Sequence, residues 1–395
     1  MIRRLLGRRD GRDRLVPRVP DGAAVEPRLI PAPLDMQDLT RRLVALSGHS
    51  PQAPDLGAAG ELVAGRRVLV TGAGGSIGAE LVRQLRGLGP AQLVLLDRDE
   101  SALHELLMSV DGAALLDTPE TVLADIRDPR SLDAAFAEHR PEMVFHAAAL
   151  KHLPLLQRFP REAWMTNVHG TRHVLDAAYR HGTRRFVNIS TDKAASPSSV
   201  LGRSKRVAEA LTAHVAEHTG LPFVSVRFGN VLGSRGSVVP AFVEQVRRGG
   251  PLTITHPEVS RFVMTIPQAC ALVLSATTVG GPGETLVLDM GEPVRIVDLA
   301  GAITELSGVE CPIIYTGLRP GEKLHEELFS EHEQLDRTEQ DGISRIRCTP
   351  IDPAALPGID AWSPHVREMM VPSVRDPLAV ARATSDEQAR PLVVS

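Results

Sequence analysis

Short, largely apolar runs alternate with helix-like segments from Arg67 onward, and this alternation constrains the fold more than any other feature of the chain. Runs of this kind are expected for strands that are covered by helices on both faces of a sheet. They occupy residues 68–70, 93–96, 122–124, 143–145, 186–189 and 224–226. The pattern predicts an α/β fold that is built on a doubly wound parallel sheet.

The chain divides into four stretches by composition. Residues 1–60 are rich in Pro, Arg, Ala and Gly and predict a flexible N-terminal extension, with one short amphipathic helix over 36–46. The regular alternation occupies residues 61–228. It loosens in residues 229–350, which predict a smaller substrate lobe interleaved with the sheet, with strands near 252–255 and 286–288 and helices near 267–277 and 296–307. Residues 351–395 predict a partly ordered tail.

Charge and cysteine content exclude several classes of protein. The formal net charge is −4, and no large basic block lies outside the first fourteen residues, so a nucleic-acid partner is not expected. No stretch approaches the roughly 20 apolar residues of a membrane span, and no signal peptide is visible, which predicts a cytoplasmic protein without stable membrane insertion. Cys270, Cys311 and Cys348 lie far apart and predict neither a disulfide framework nor a metal site.

A glycine-rich turn follows the first predicted strand and leads into a helix. Glycine at 72, 75 and 78 allows a tight turn, a close approach of backbone N–H groups to a pyrophosphate, and close helix-strand packing. Asp97 ends the next strand about twenty residues later, where a carboxylate can bind a ribose 2′-hydroxyl. Together they predict a Rossmann dinucleotide site, in which the turn contributes Thr71, Gly72, Gly75, Ser76, Ile77 and Gly78.

The identity of the dinucleotide depends on two adjacent side chains. Asp97 suits NAD, but Arg98 beside it can bind a 2′-phosphate, so we predict NADP with NAD as the alternative. Asp125 and Ile126 end the third strand and are predicted to contact the adenine, although Asp125 could instead cap a helix. The small residues Ala147 and Ala148 end the fourth strand, where a nicotinamide could lie close to the backbone.

An acid and an amine stand side by side after the fifth strand, at Asp192 and Lys193. Such a pair can transfer protons, and the alternative is a salt bridge at a strand end. Lys205 follows one strand-to-helix step later. Four positions before it stands Leu201, where a short-chain dehydrogenase would hold tyrosine. The segment therefore predicts acid-base chemistry that does not use a tyrosine.

Several motifs together resemble one known family. They are the glycine turn and residues 146–154 (HAAALKHLP), 190–194 (STDKA), 227–234 (RFGNVLGS), 261–265 (RFVMT), 288–291 (LDMG) and 317–323 (GLRPGEK). In this order they resemble the polysaccharide-biosynthesis (CapD-like) UDP-N-acetylglucosamine 4,6-dehydratases, a branch of the extended short-chain dehydrogenase/reductases. Long members of that family carry N-terminal membrane helices, which this sequence does not show.

The resemblance implies a three-step reaction with a recycled cofactor. NAD(P)+ takes hydride from C4 of a UDP-N-acetylhexosamine, water leaves across C5 and C6, and the hydride returns to C6 with inversion at C5. It implies that Asp192 is the acid at C6 and Lys193 the base at C5, as long as burial leaves a fraction of the amine unprotonated. Thr191 would bond a hydroxyl of the substrate or the nicotinamide ribose, and Lys205 the ribose. Long members carry methionine where this chain has Leu201.

The resemblance also implies the substrate contacts. Arg227, Asn230 and Arg261 match positions that hold the diphosphate and the sugar, and planar guanidinium groups suit bidentate phosphate binding. By the same resemblance Glu322 would accept a hydrogen bond from the uridine ribose, and Arg319 would lie near the phosphates. Lys151 and His152 would flank the nicotinamide pocket, where Lys151 could touch substrate, and Asn167 would fix the local backbone. A homo-oligomer is expected by analogy.

Two other functions remain open on the sequence. A related enzyme could epimerise C4 or stop at a 5,6-ene sugar, although epimerisation normally relies on the tyrosine that Leu201 replaces. A protein of another class would bind NAD(P) and a sugar nucleotide without turning them over. Leu201 is the one residue that supports this last interpretation.

Overall fold

The structure, a computed structural model, describes residues 36–48, 54–358 and 363–370. Its largest sheet has nine strands in the order β14-β15-β11-β6-β5-β4-β1-β2-β3, and the seven strands from β11 to β3 run parallel. The strands are β1 Arg67–Thr71, β2 Gln92–Asp97, β3 Thr121–Leu123, β4 Met143–His146, β5 Arg185–Ile189, β6 Phe223–Arg227, β7 Asn230–Leu232, β8 Leu252–Ile254, β9 Ser260–Arg261, β10 Val263–Thr265, β11 Glu284–Leu288, β12 Val294–Arg295, β13 Ile313–Tyr315, β14 Asp336–Arg337 and β15 Ile343–Arg347. The predicted doubly wound α/β fold is confirmed.

Helices cover both faces of this sheet. They are α1 Met36–Leu46, α2 Gly57–Val63, α3 Ser76–Gly87, α4 Glu100–Asp111, α5 Pro129–His139, α6 Leu153–Arg158, α7 Pro160–Ala163, α8 Thr171–Arg180, α9 Val200–Thr219, α10 Val238–Arg247, α11 Ile266–Val279, α12 Ile296–Ser307 and α13 Pro364–Met370. A π-helix, Trp164–Gly170, precedes α8, and short 3-10 helices lie at Asp192–Ala194 and Pro353–Ala355. Within the described ranges, none of the helices has both the length and the apolar character needed to cross a bilayer.

Two apolar cores explain why the strands are apolar on both faces. On one face, α5, α8 and α9 pack around the fully buried Phe136, Phe186 and Phe223. On the other, α2, α3, α4 and α11 pack around residues such as Leu81 and Phe145. Because each strand is covered twice, alternate polar positions are not tolerated, which is why the sequence shows continuous apolar runs.

The strand order reverses beside β1, and this reversal positions the site. β1 pairs with β2 on one side and with β4 on the other, so the connections that follow β1 and β4 lead away from each other. In open α/β sheets the crevice at such a switch point, at the carboxyl ends of the strands, is the usual place for a ligand. The glycine turn after β1 and the 146–154 segment after β4 both lie at this edge.

The second lobe is formed by the chain between β6 and β14, which also contributes β11 to the main sheet. Three two-stranded sheets, β7 with β10, β8 with β13 and β9 with β12, pack with α10 and α12 around Phe242, Leu252 and Leu299. From this lobe the chain returns to the main sheet as β11, parallel to β6, and later as β15, antiparallel to β11. The two lobes therefore share one sheet.

Two helices of the predicted N-terminal extension pack onto the fold. Leu39 and Leu43 of α1 are buried against the second lobe, and Ala59 and Val63 of α2 are buried in the core beside α11. The sequence predicted the helix over 36–46 but not this packing, because its few apolar residues do not show what they contact. The remainder of the predicted extension and tail, residues 1–35, 49–53, 359–362 and 371–395, lies outside the described residues.

Candidate functional site

The glycine turn has the geometry of a dinucleotide cradle. Gly72 has a φ of +67°, and a Cβ there would lie 2.6 Å from the backbone nitrogen of Ala148. A Cβ on Gly78 would overlap the carbonyl oxygen of Gly72. Helix α3 begins after Gly75 without a side-chain cap, so N–H groups of its first turn remain for an anion. The turn thus has the shape and the free N–H groups that a pyrophosphate would require.

Three side chains of the turn are less available to a cofactor than their positions in the motif suggested. The Thr71 hydroxyl is fully buried and lies 2.7 Å from Nδ1 of His146, so Thr71 supports the sheet edge and does not present its side chain to a cofactor. Ile77 packs its side chain into the core. The Ser76 hydroxyl accepts a hydrogen bond of 3.1 Å from the backbone N–H of Arg235. A role for Ser76 and Ile77 toward a cofactor would come from their backbone.

His146 ties the two strands at the switch point to the helix layer. Its Nδ1 bonds Thr71 and its Nε2 lies 2.9 Å from the hydroxyl of Thr171. Burial, with a smaller contribution from the positive charge of Lys205, lowers the pKa of His146 to about 3. The imidazole is therefore neutral and structural. Ala147 and Ala148, which follow it, line the cleft.

The adenosine end of the cleft is lined by Asp97, Arg98, Asp125 and Ile126. Asp97 accepts 2.9 Å and 3.1 Å hydrogen bonds from the backbone N–H groups of Gly74 and Asp99, so its carboxylate is fixed beside the turn. Burial alone would raise the pKa of Asp125, but hydrogen bonds from Arg127 outweigh it and hold the pKa below its usual range. Arg98 lies 3.7 Å from Asp125 and is about half exposed.

Asp192 and Lys193 form the centre of a buried acid-base cluster after β5. The Lys193 ammonium donates to Asp192 at 2.9 Å and to Asn230 at 3.1 Å. The same Asp192 oxygen, Oδ1, accepts from the Thr191 hydroxyl at 2.8 Å and from the Lys193 backbone N–H at 2.9 Å. Its other oxygen, Oδ2, is buried and has no hydrogen-bond partner among the described residues. The Asp192 side chain is fully buried, whereas 16% of that of Lys193 is exposed.

Glu326 joins this cluster and was missed by the sequence analysis. Its carboxylate lies 3.9 Å from the Lys193 ammonium, and its side chain is 4% exposed. Burial raises the pKa of Glu326, and the charge of Lys193 opposes that rise only in part. Glu326 follows the GLRPGEK motif by three positions, but its sequence context does not show that the second lobe brings it to the end of β5.

The position of the missing tyrosine is filled by an apolar side chain that cannot transfer a proton. Leu201 is buried among apolar side chains of the core. One turn later on α9, Lys205 is 6% exposed, and burial, partly opposed by Glu209, lowers its pKa to about 8. Asn167 fixes the backbone nearby, as predicted, because it bonds both the N–H and the C=O of Leu150 and also Ser204. Lys205 is thus an amine that exists in both protonation states near neutral pH.

The prediction that Arg227 binds the diphosphate is wrong. Its guanidinium is fully buried and uses all five N–H donors on Glu209, Glu333 and the carbonyl oxygen of Leu328. Although burial opposes it, the pairing with Glu209 and Glu333 raises the pKa of Arg227. No donor remains for a phosphate. The arginine instead ties β6 to α9 and to the segment around Glu333.

The other predicted substrate residues take up different positions. Arg261 donates to Glu322 at 3.0 Å, and Glu322 also accepts from the Thr255 hydroxyl and from the backbone N–H of Arg319. The predicted ribose acceptor therefore already accepts from three protein donors. The side chain of Arg319 is exposed, and so is that of Lys151, which follows the cleft-lining residues 147–150. Asn230 is the predicted substrate residue that contacts the acid-base cluster.

One family model and several known sequences match this chain. A family model described as "Polysaccharide biosynthesis protein" matches residues 68–348. The chain is 44% identical over 292 residues to the probable polysaccharide biosynthesis protein EpsC of Bacillus subtilis, with 73% of this chain and 49% of EpsC covered. It thus spans about half the length of this curated relative. It is also 34% identical over 289 residues to a UDP-glucose 4-epimerase of Rickettsia prowazekii, with 71% and 82% covered.

Solved structures of the same fold include Pen from Bacillus thuringiensis, with 30% identity and a TM-score of 0.65 over 72% of this chain and 88% of Pen. They also include DesIV, a dTDP-glucose 4,6-dehydratase from Streptomyces venezuelae, crystallised as a double mutant with NAD bound. It is 25% identical, with a TM-score of 0.60 over 66% of this chain and 87% of DesIV. The likeness extends over both lobes, because it reaches well beyond the length of the dinucleotide-binding half.

Proposed function

Because this chain belongs to the polysaccharide biosynthesis protein family, we propose that it dehydrates a UDP-N-acetylhexosamine, UDP-N-acetylglucosamine, to a UDP-4-keto-6-deoxy sugar with inversion at C5. The observation that carries the proposal is the buried contact of Asp192 with Lys193, within reach of Asn230 and Glu326. It lies at the sheet edge that also holds the glycine turn. A hydride acceptor and an acid-base pair at one edge are what this reaction requires.

The chemistry divides between the cofactor and the protein. When bound, a nicotinamide dinucleotide accepts hydride from C4 and returns it to C6. Lys193 takes the C5 proton, which the C4 ketone makes acidic, and the electron pair of that C–H bond forms the C5=C6 double bond. Asp192 gives a proton to the C6 hydroxyl, so that the C6–O bond breaks and water leaves. Reprotonation at C5 from the opposite face completes the inversion.

Burial suggests how the pair works as a unit. Only Lys193 has exposed surface, whereas the Asp192 carboxylate is covered and in direct contact with the lysine ammonium at 2.9 Å. Transfer of one proton within the pair, from the ammonium to the carboxylate, would give the neutral amine that takes the C5 proton and the carboxylic acid that protonates the leaving hydroxyl, and the two steps restore the original pair. The C4 hydroxyl proton has a separate acceptor in the proposal, Lys205, because its pKa of about 8 leaves a fraction of neutral amine at neutral pH.

For the cofactor we propose NAD, although the sequence favoured NADP because of Arg98. The fixed carboxylate of Asp97 would repel a 2′-phosphate, and Arg98 is drawn toward Asp125. Calorimetric titration is expected to give a dissociation constant for NAD at least about tenfold below that for NADP, and Asp97→Ser should reduce the difference. Tighter binding of NADP to the wild type would return the assignment to Arg98.

The test of the reaction is proton NMR of purified protein with NAD and UDP-N-acetylglucosamine in deuterated water. The expected product is a 4-keto-6-deoxy sugar with deuterium at C5 and inverted configuration. A product that retains the C5 configuration would contradict the inversion. Unaltered substrate, with bound cofactor still detectable, would contradict the proposed substrate and leave another sugar nucleotide or a binding role.

A second candidate is 4-epimerisation of a UDP-hexose, which the identity to the Rickettsia epimerase favours. The same spectrum separates the two reactions. An epimerase would give the C4 epimer with hydrogen retained at C5 and with the C6 hydroxyl in place. The buried Asp192–Lys193 pair has no role in that reaction, so we rank it second.

A further inference from the structure

The loop that joins β7 to α10 reaches from the second lobe onto the glycine turn. The backbone N–H of Arg235 donates to the Ser76 hydroxyl at 3.1 Å. Next to it, Gly236 has a φ of +69°, and a Cβ there would lie 2.5 Å from Cε1 of His152. The loop is therefore fixed against the turn at one residue and packed closely against the 146–154 segment at the next, so the position of Arg235 at the mouth of the cleft is well defined.

Arg235 lines the cleft together with Gly74 and Gly75. Its guanidinium pairs with Glu105 on α4, and more than half of each side chain is exposed. Exposed pairs contribute little free energy, so a ligand phosphate can compete for the guanidinium. Lys151 is exposed overall, but partial desolvation of its ammonium group and the nearby charge of Arg235 lower its pKa. Arg235 thus faces the part of the cleft where the turn offers backbone N–H groups.

We propose that Arg235 exchanges Glu105 for a phosphate of the bound dinucleotide, closes the cleft opposite the glycine turn and slows release of the cofactor. The inference rests on the dinucleotide site of the proposed function, but not on the reaction. Retention matters for this reaction in particular, because the reduced cofactor must stay bound until its hydride returns to C6. Arg235 would then be the residue of the second lobe that couples cofactor retention to the lobe that holds the sugar.

Variants of Arg235 and Glu105 test the proposal, because it predicts opposite effects of the two on the affinity for the dinucleotide. With ADP as the probe in calorimetric titration, Arg235→Gln is expected to weaken binding about tenfold or more, since a charge-assisted bond to phosphate is lost. Glu105→Gln removes the competitor and is expected to tighten binding by about twofold to fivefold. Arg295→Gln, which breaks the surface pair with Asp298 outside the cleft, is the matched control and should change neither value.

A purely structural salt bridge would give losses of the same sign in both variants, and that result would overturn the proposal. Adenosine, which carries no phosphate, should bind equally to all the proteins. An effect of Arg235→Gln on NADP but not on ADP would assign the guanidinium to a 2′-phosphate, and an effect on UDP alone would assign it to the substrate; both contradict the proposal. Stopped-flow release of NADH should be faster from Arg235→Gln than from the wild type. None of these measurements depends on turnover.

Discussion

Replacing Asp192 by asparagine is expected to lower the rate of product formation by about 10² to 10⁴-fold, the usual contribution of a positioned acid or base. The amide keeps the shape of the carboxylate and can still accept from the Thr191 hydroxyl, but it cannot deliver a proton to the C6 hydroxyl. The fold should be retained, because the substituted group is close in size. Rates are measured by NMR of the product in the presence of NAD.

The role of Asp192 can be read from deuterium at C5 of the recovered substrate. If Asp192 is the acid at C6, Lys193 should still exchange the C5 proton in deuterated water while elimination fails. If exchange is lost as well, Asp192 acts only by orienting Lys193, to which it is bonded at 2.9 Å. Asp298→Asn, on a half-exposed surface pair, serves as the control. Turnover at the wild-type rate in Asp192→Asn would exclude Asp192 from the mechanism.

Replacing Arg227 by methionine is expected to lower the free energy of unfolding by about 3–5 kcal/mol, the cost of removing one partner from a buried ion pair. Glu209 and Glu333 would remain buried and would lose the four hydrogen bonds that Arg227 donates to them. Because Glu209 also accepts from the Ser190 hydroxyl at 2.5 Å, the loss should extend to the segment that carries Asp192. Urea denaturation of the two proteins measures the difference.

Arg345 provides a control of the same chemical type. It also pairs with two glutamates, Glu284 and Glu339, but it lies on β15 with about a quarter of its side chain exposed. Arg345→Met should cost clearly less than Arg227→Met, because its partner Glu339 is 80% exposed and stays solvated when the arginine is removed. At a temperature where Arg227→Met is folded, its affinity for UDP should match that of the wild type. A tenfold loss of UDP binding with little loss of stability would restore the predicted phosphate role of Arg227.

The sheet could be predicted from the sequence because its strands are covered on both faces. Each run, such as 68–70 or 143–145, is nearly pure in apolar residues, and the glycine turn between β1 and α3 marks the point where the chain leaves the sheet. The acid-base pair could be predicted as well, because Asp192 and Lys193 are neighbours in the chain. Local chemistry of this kind is visible in a single sequence.

Contacts between distant segments could not be predicted. Arg227 carries the same guanidinium whether it faces a phosphate or two glutamates, and only the fold brings Glu209 and Glu333 to it. Glu326 reaches Lys193 from the second lobe in the same way. The packing of α1 is a further case, since a short amphipathic helix can lie on many surfaces. The resemblance to a family assigned a role to each residue from its position in a motif. Burial and pairing in the fold then showed which side chains have groups left for such a role.

The return of the chain to the main sheet also has a consequence for how the protein folds. β11 can pair with β6 only after the whole intervening segment with α10 and α11 has been looped out, and β15 can add only after β11. A chain under synthesis presents its elements in chain order, so these strands are expected to join the sheet late. The strands from β1 to β6 all precede them in the sequence and form the rest of the parallel sheet. A newly made chain would therefore complete the glycine turn before the second lobe, which carries Arg235, has folded.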